Sequence, residues 1–411
     1  MPPCLYCKGQ HTSSQCPVNA RALRLTEVKH LLSKPEFYGA SPAPFIGRYG
    51  YPHINVGILA PPFVTDAQEY DAPKQWVNSN YAIPRIVDLR SALVQSKTQA
   101  HVKKPNNVVE LAQFIGMADK PVDIEVQLSK IPKFSLTLDV HHAPMGPSSD
   151  IVKAELTSNP SIPTAVDKVV SDTDLLAVGA MLKLYNKGFD EHQLSKLLSV
   201  GIVGLGKNRR LVPTRWSITA TDDILGKHLY KQILDNSVGE IQAYFGSYLG
   251  NYYLILFLGS CWSYELFEIA LPGVYDAIGG VSTDYEGVFG RKDYAEQCAG
   301  GYYTVRLAIL EKLAELKQQT SALVFRFITN EYTMPLGVWV TREAARKALQ
   351  SKPITFATKE LALTYTKHLV RRKFGYYVEL LFNQSILLRS GRQKNLNMAS
   401  PASGFQHAQN P

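Results

Sequence analysis

The sequence predicts a mixed α/β (α+β) protein, in which mixed sheets pack against helices and a small zinc-knuckle-like module comes first. Strands are predicted where apolar residues alternate, as at Ile124, Val126 and Leu128. Helices are predicted where apolar residues recur every three or four positions, as between Tyr302 and Leu316. With 45% hydrophobic residues, the 411-residue chain can bury a sizeable core.

Periodicity places the remaining elements along the chain. The most apolar run, residues 252–262, is shorter than the roughly 20 residues of a membrane span, so we expect a buried strand and no membrane partner. Other strands are expected around Ile54, in a hairpin within 122–140, between 241 and 268, and over 323–328. Helices are expected over residues 20–33, 85–96, 107–117, 172–186, 191–200, 302–317, 342–349 and 359–372.

Residues 209–234 predict a strand, a turn and then a helix. Thr221 is the candidate N-cap of that helix, because a threonine hydroxyl can accept a hydrogen bond from the first turn. Asp222 and Asp223 would then lie at the positive end of the helix dipole. The glycine-rich stretch that follows, residues 278–303, is predicted to be a loop.

Composition divides the chain into four parts. We expect a zinc-knuckle-like module in residues 1–18, a main N-terminal domain in 19–300, a basic C-terminal domain in 301–389 and a disordered tail in 390–411. The first residues are polar and rich in cysteine, so no secretory signal is predicted. Three of the five cysteines lie in the opening motif and the total is odd, which does not suit a disulfide framework and favours a reducing compartment, so we expect a cytoplasmic protein.

The positive charge of the chain is concentrated at one end. Residues 341–411 contain 12 Lys and Arg against 3 Asp and Glu, which accounts for the net charge of +9. A localised basic surface favours a polyanionic partner, nucleic acid first, although a solubilising tail is the alternative. The basic side chains predicted to contact DNA are Arg342, Arg346, Lys367, Arg371, Arg372 and Lys373.

The opening motif, "CLYCKGQHTSSQC", has the spacing C-x2-C-x3-H-x4-C. Thiolate and imidazole are preferred ligands of tetrahedral zinc, and four protein ligands exclude the water that a catalytic zinc needs. The sequence therefore predicts one structural zinc, held by Cys4, Cys7, His11 and Cys16. The spacing is one residue shorter than that of a zinc knuckle, a module that often contacts single-stranded nucleic acid.

Two further groups of residues could carry chemistry. The carboxylates of Asp222, Asp223, Asp284 and Glu286 could hold a divalent metal for phosphodiester chemistry, or they could simply cap helices and pair with arginines. Candidate phosphate-binding residues occur beside aromatic and glycine residues, and they are Arg48, Arg215 and Arg291. No Walker loop, nucleophile elbow or H-E-x-x-H motif occurs.

Several long stretches of the chain are not generic: "GRYGYPHINVGILAPP", "VPTRWSITATDDILGK", "DYEGVFGRKDYA", "AGGYYTVRLAILEKL" and "PLGVWVTREAARKAL". In this order they resemble the archaeal Nre family of DNA repair proteins. The resemblance extends from about Leu5 to Leu388 and implies an intracellular protein of DNA damage repair with N-terminal and C-terminal Nre-like domains. It also implies a zinc-finger-like cluster in which His11 replaces the more usual cysteine.

The family resemblance further implies a sliding clamp (PCNA) as partner. Members often end in a clamp-binding peptide of the form Q-x-x-hydrophobic-x-x-aromatic-aromatic. The stretch "QKNLNMAS" matches it at Gln393 and Leu396, whereas Ala399 and Ser400 stand at the aromatic positions. Aromatic anchors usually supply most of the energy of a small interface, so this match is incomplete.

We therefore expect a non-enzymatic repair factor that binds DNA, with structural zinc and recruitment by the clamp. Two alternatives remain open. One is a metal-dependent enzyme acting on nucleic acid or a nucleotide phosphate through the four carboxylates. The other is a clamp-associated adaptor that does not touch DNA.

Overall fold

The mixed α/β fold is confirmed by a computed structural model, which describes residues 4, 12, 16–104, 106–134, 144–272 and 279–389. Its strands form two six-stranded mixed sheets. The helices of the described residues are α1 (Pro17–Leu31), α2 (Pro73–Asn78), α3 (Ile83–Ala92), α4 (Asn107–Met117), α5 (Thr164–Ser171), α6 (Ala177–Tyr185), α7 (Glu191–Ser199), α8 (Thr214–Ile233), α9 (Ala299–Leu316), α10 (Trp339–Leu349), α11 (Lys359–Phe374) and α12 (Glu379–Gln384).

The first sheet has the strand order β1-β5-β6-β4-β3-β2. Only β4 and β6 run parallel, and the other pairs are antiparallel. Alternate residues of β5 are fully buried, as the alternation in the sequence predicts. The strands are β1 (Glu36–Ser41), β2 (Ala43–Ile46), β3 (His53–Ala60), β4 (Val94–His101), β5 (Val122–Leu128) and β6 (Ser148–Leu156).

The second sheet has the order β10-β9-β11-β8-β7-β12, with one parallel pair, β9 and β11. Its strands are β7 (Ile241–Tyr248), β8 (Asn251–Leu258), β9 (Ser263–Ala270), β10 (Gly280–Glu286), β11 (Ser321–Ile328) and β12 (Ile354–Phe356). The sheet joins β9, from the predicted main domain, to β11, from the predicted C-terminal domain. The division of the chain into four parts stays a prediction.

The second sheet is covered on both faces. On one face, Tyr253, Ile255 and Phe257 of β8 belong to a core cluster shared with α8, α9 and α10. On the other face, Leu254 and Leu256 pack with residues of α11 and α12. A strand that is buried on both faces needs apolar residues at every position, which explains the continuous apolar run in the sequence. No helix in the described ranges is long and apolar enough to cross a membrane.

Several local predictions are wrong. Thr221 does not cap a helix, because α8 begins at Thr214 and continues through Asp222 and Asp223 to Ile233. The hairpin predicted within 122–140 does not form on β5, because both of its edges pair with β1 and β6, and residues 135–140 lie outside the described residues. The predicted loop over 278–303 contains β10, and the helix predicted over 85–96 ends at Ala92, just before β4.

Candidate functional site

The zinc prediction falls largely outside the described residues. Of its four ligands, Cys7 and His11 lie outside them, whereas Cys4 and Cys16 are described and both are buried. Cys16 directly precedes α1. Two buried thiols at the two ends of the motif suit a closed metal site, whose thiolates must be shielded from water. The described residues contain no group of three or more potential metal ligands.

Arg342 lies in the protein interior, not on the surface. Its Nη1 donates to Asp222 Oδ1, and its Nε lies 3.2 Å from Glu191 Oε1. Only 4% of Arg342 is exposed. An ion pair in the interior demands good geometry, because the cost of removing both charges from water is large.

Arg346, one helical turn later, joins the same buried network. It contacts Glu191 Oε1 at 2.8 Å, Glu311 Oε1 at 2.7 Å and Glu343 Oε1 at 2.6 Å. Both predicted DNA-binding arginines of α10 therefore bind carboxylates of α7, α8, α9 and α10, and neither guanidinium group is available to a phosphate.

The buried network holds more carboxylates than arginines, and this affects protonation. Burial raises the pKa of Asp222 to about 7, because Arg342 offsets only part of the desolvation and the neighbouring Glu191 repels a second negative charge. Burial alone would also raise the pKa of Glu191, but Arg342 and Arg346 hold it well below its usual range. Asp222 is therefore the member of the network that carries a proton at mildly acidic pH.

The other three candidate metal ligands also have basic partners. Asp223 Oδ2 lies 2.6 Å from Lys227 Nζ, and Asp284 Oδ1 lies 3.1 Å from Arg291 Nη1.

Glu286 is nearly fully buried and accepts from Arg306 Nε at 2.7 Å and from Trp262 Nε1 at 3.0 Å. Each of the four carboxylates thus has its own cation, and no three metal ligands converge in the described part of the chain. The arrangement required by a metal-dependent enzyme is absent from these residues.

The remaining predicted DNA-binding residues lie on α11. Thr358 caps this helix by accepting from Leu361 N, and Gly375 ends it with a φ of 66°, a conformation that glycine adopts without strain. Ala362, Thr366 and Val370, at intervals of one turn, face the outer side of the second sheet. This packing leaves the opposite side of α11 to solvent.

Around the C-terminal half of α11 lie the partly buried Lys367 and the exposed Arg371, Arg372 and Lys373, which together we call the α11 basic surface. Three of these cations lie in the last turn, where the helix dipole favours positive charge. None of the four forms an ion pair with a described residue. They are therefore free to pair with an external anion.

Aromatic rings accompany these cations. Arg371 Cζ lies 4.2 Å from the ring centroid of Tyr377, which is 51% exposed. Lys373 Nζ lies 4.7 Å from the ring of Tyr252. Interleaved cations and aromatic rings are typical of surfaces that bind nucleic acid.

The three candidate phosphate-binding arginines divide into two environments. Arg291 is paired with Asp284 and also donates to the carbonyl of Tyr285 at 2.9 Å. Arg48 and Arg215 form no ion pair with a described residue. Arg48 lies before β3 and Arg215 in the first turn of α8, two segments that are joined by the hydrogen bond from the N–H of Ile46 to Thr214 Oγ1. Sequence reasoning missed the exposed Trp216 beside Arg215, for which the available signal was a tryptophan directly after an arginine in "PTRW".

The predicted clamp-binding residues, Gln393 and Leu396, lie outside the described residues. The segment that leads towards them is firmly held. Glu265, a fully buried residue of β9, accepts from the hydroxyl of Ser385 and from the backbone N–H groups of Ile386 at 2.9 Å and Leu387 at 3.1 Å. The chain therefore leaves the second sheet at a defined position.

Comparisons with known proteins give consistent matches along the chain. The family model described as "Archaeal Nre, N-terminal" matches residues 11–275, and that described as "Archaeal Nre, C-terminal" matches residues 286–398. No solved structure matches the chain.

Curated relatives match over most of their length. The chain is 34% identical to DNA repair protein NreB of Archaeoglobus fulgidus over 96% of this chain and 98% of the relative. It is 35% identical to DNA repair protein NreA of Haloferax volcanii over 76% of this chain and 78% of the relative. It is also 34% identical to DNA repair protein NreA of Archaeoglobus fulgidus, over 90% and 94% respectively.

Proposed function

Because the chain belongs to the archaeal Nre family, we propose that it is a DNA repair factor that binds DNA phosphates through the α11 basic surface. The names of its relatives support the repair role. The observation that carries the DNA contact is the set of four cations around the C-terminal half of α11, none of them paired with a described carboxylate. Surface cations without an intramolecular partner can bind phosphates and release DNA counterions without first breaking an ion pair.

The contrast with α10 sharpens the proposal. Both helices are rich in arginine, but Arg342 and Arg346 neutralise buried carboxylates, whereas Arg371 and Arg372 face solvent. We therefore propose that the C-terminal region contacts DNA through Arg371 and Arg372 of α11, with Lys367 and Lys373 beside them on the same helix. We also propose structural zinc in the N-terminal module, where Cys4, Cys7, His11 and Cys16 would supply the four ligands that a structural zinc site needs.

A titration of duplex DNA against salt concentration tests the proposal. We expect log affinity to fall linearly with log salt, and Arg371→Glu/Arg372→Glu to reduce that slope by about two and the affinity at least tenfold. Lys231→Glu is the matched control, because Lys231 is exposed in the last turn of α8, which belongs to the core on the opposite face of the second sheet. Equal slopes for the double variant and the wild type would reject the α11 basic surface.

Recruitment by the sliding clamp is the second part of the proposal. It is supported by the match at Gln393 and Leu396 and by the anchoring of the preceding residues on Glu265. Removing residues 391–411 should abolish clamp binding while leaving the salt slope for DNA unchanged. Clamp binding that survives this deletion would assign the contact to another part of the chain.

A further inference from the structure

Three segments that are distant in the sequence meet at one end of the first sheet. The N–H of Ile46, at the end of β2, donates to Thr214 Oγ1 at 3.2 Å and so joins β2 to the start of α8. The N–H of Val102 donates to the carbonyl of Pro52 at 3.0 Å, and the N–H of Leu211 donates to the carbonyl of Val102 at 2.9 Å. The turn before β3, the end of β4 and the segment before α8 therefore form one surface.

Three exposed aromatic side chains lie on this surface. Tyr49 is 70% exposed, Trp216 is 47% exposed and Tyr51 is 43% exposed. The rings of Tyr51 and Trp216 are 5.6 Å apart, and Arg48 Cζ lies 4.8 Å from the ring of Tyr49. We call Tyr49, Tyr51 and Trp216, with Arg48 and Arg215, the aromatic platform.

The turn that carries the two tyrosines is held in shape. Gly50 has a φ of +82°, and a Cβ there would come within 2.6 Å of the carbonyl oxygen of His53. The N–H of His53 donates back to the carbonyl of Gly50 at 2.9 Å. A turn fixed in this way presents Tyr49 and Tyr51 to solvent with less loss of conformational freedom when a ligand binds.

The surroundings of the platform are positively charged. Besides Arg48 and Arg215, the exposed Lys103 and Lys104 follow directly after Val102. None of these four cations forms an ion pair with a described residue. A hydrophobic protein partner would not require this charge, whereas the backbone of a nucleic acid strand would.

We propose that the aromatic platform binds the unpaired bases of single-stranded DNA, with Arg48, Arg215, Lys103 and Lys104 contacting the adjacent phosphates. Aromatic rings stack on any base that is not already stacked in a duplex, and nearby cations follow the strand backbone. This site is separate from the α11 basic surface and adds a preference for gapped or unwound DNA to the proposed contact with duplex phosphates.

Intrinsic fluorescence gives a direct measurement. Of the four tryptophans, Trp76 and Trp262 are buried and Trp339 is partly buried, so Trp216 alone is exposed. Adding a dT oligonucleotide of about 15 nucleotides, near the upper end of typical site sizes, should quench the emission. Trp216→Phe should retain oligonucleotide binding, as measured by anisotropy of a labelled strand, because phenylalanine still offers a ring.

Two truncations test the role of the rings. Trp216→Ala and Tyr49→Ala should each lower affinity for the single strand about tenfold, while affinity for blunt duplex stays within twofold of wild type. Phe289→Ala is the matched control, since Phe289 is 97% exposed outside the platform, and it should change neither affinity.

Single-strand affinity that is unchanged in both truncations would overturn the proposal, and so would an equal loss for single strand and duplex with an unchanged melting temperature. The charge-reversed α11 variant separates the two surfaces. If it loses duplex binding but retains quenching by oligo-dT, both proposals stand. If it retains duplex binding while Trp216→Ala loses single-strand binding, only the α11 proposal fails.

Discussion

Arg342 and Asp222, 120 residues apart in the chain, form an ion pair in the protein interior that connects α10 to α8. Asp222 Oδ2 is also buried and accepts no hydrogen bond from a described group. In its ionised form this carboxyl group therefore has an oxygen that no hydrogen-bond donor of the described residues satisfies. Burial of this carboxyl group raises its pKa although an arginine is adjacent.

Asp222→Asn should change how stability depends on pH. The folded pKa of Asp222 is raised to about 7, whereas an unfolded aspartate has a pKa of about 3.9. Between these values the folded state retains a proton that the unfolded state has released, so wild-type stability falls as pH rises from about 4 to 7. Asparagine does not titrate, and the melting temperature of the variant relative to wild type should increase between pH 5 and pH 8. A constant difference would contradict the raised pKa.

Arg342→Gln should destabilise the protein without affecting DNA binding. Removing one partner of a buried ion pair leaves the other charge uncompensated, at a cost of about 3–5 kcal/mol. We expect a clearly lower melting temperature and, at a temperature where the variant is folded, the wild-type salt slope for duplex DNA. A slope reduced by about one would mean that Arg342 contacts a phosphate.

Gly246→Ala should be costly because α10 packs directly on β7. A Cβ at Gly246 would lie 2.7 Å from Ala348 Cα and 3.1 Å from Ala348 N, and backbone atoms cannot rotate away. We expect a loss of about 1–3 kcal/mol in chemical denaturation. Gly280→Ala is the control, because a Cβ there meets no atom within 4 Å. Equal effects of the two substitutions would show that α10 can move away from the sheet.

Cys16→Ser should abolish the proposed zinc binding. Metal analysis of the purified protein should give one zinc per chain, and the loss of one thiolate from a four-ligand site should release it. Cys261→Ser is the control, since Cys261 is exposed and lies far from the opening motif. Full zinc content in Cys16→Ser would exclude that residue as a ligand.

The parts of the fold that could be predicted are those with a local signal. β5 shows strict alternation because only one of its faces is buried, and α9 carries apolar residues at helical spacing between Tyr302 and Leu316. The helix start predicted at Thr221 is wrong, because Thr-Asp-Asp has a composition that is typical of the start of a helix. In the structure Asp222 lies within α8, and its partner Arg342 is contributed by α10.

The candidate site shows the same limit. The excess of positive charge in the C-terminal region was visible in the composition, but only the fold distinguishes the buried arginines of α10 from the exposed ones of α11. The aromatic platform depends on the contact between Tyr51, in the turn before β3, and Trp216, in the first turn of α8. No periodicity predicts such a pairing, because the two residues belong to separate local patterns.

The shortness of two edge strands has a consequence for self-association. β12 has three residues, and β2 has four, of which Pro44 lacks a backbone donor. Each covers one edge of a six-stranded sheet but offers few free N–H and C=O groups to a strand from another molecule. At these two edges the protein is thus protected from edge-to-edge aggregation, an advantage for a chain whose central strands β8 and β11 are almost entirely apolar.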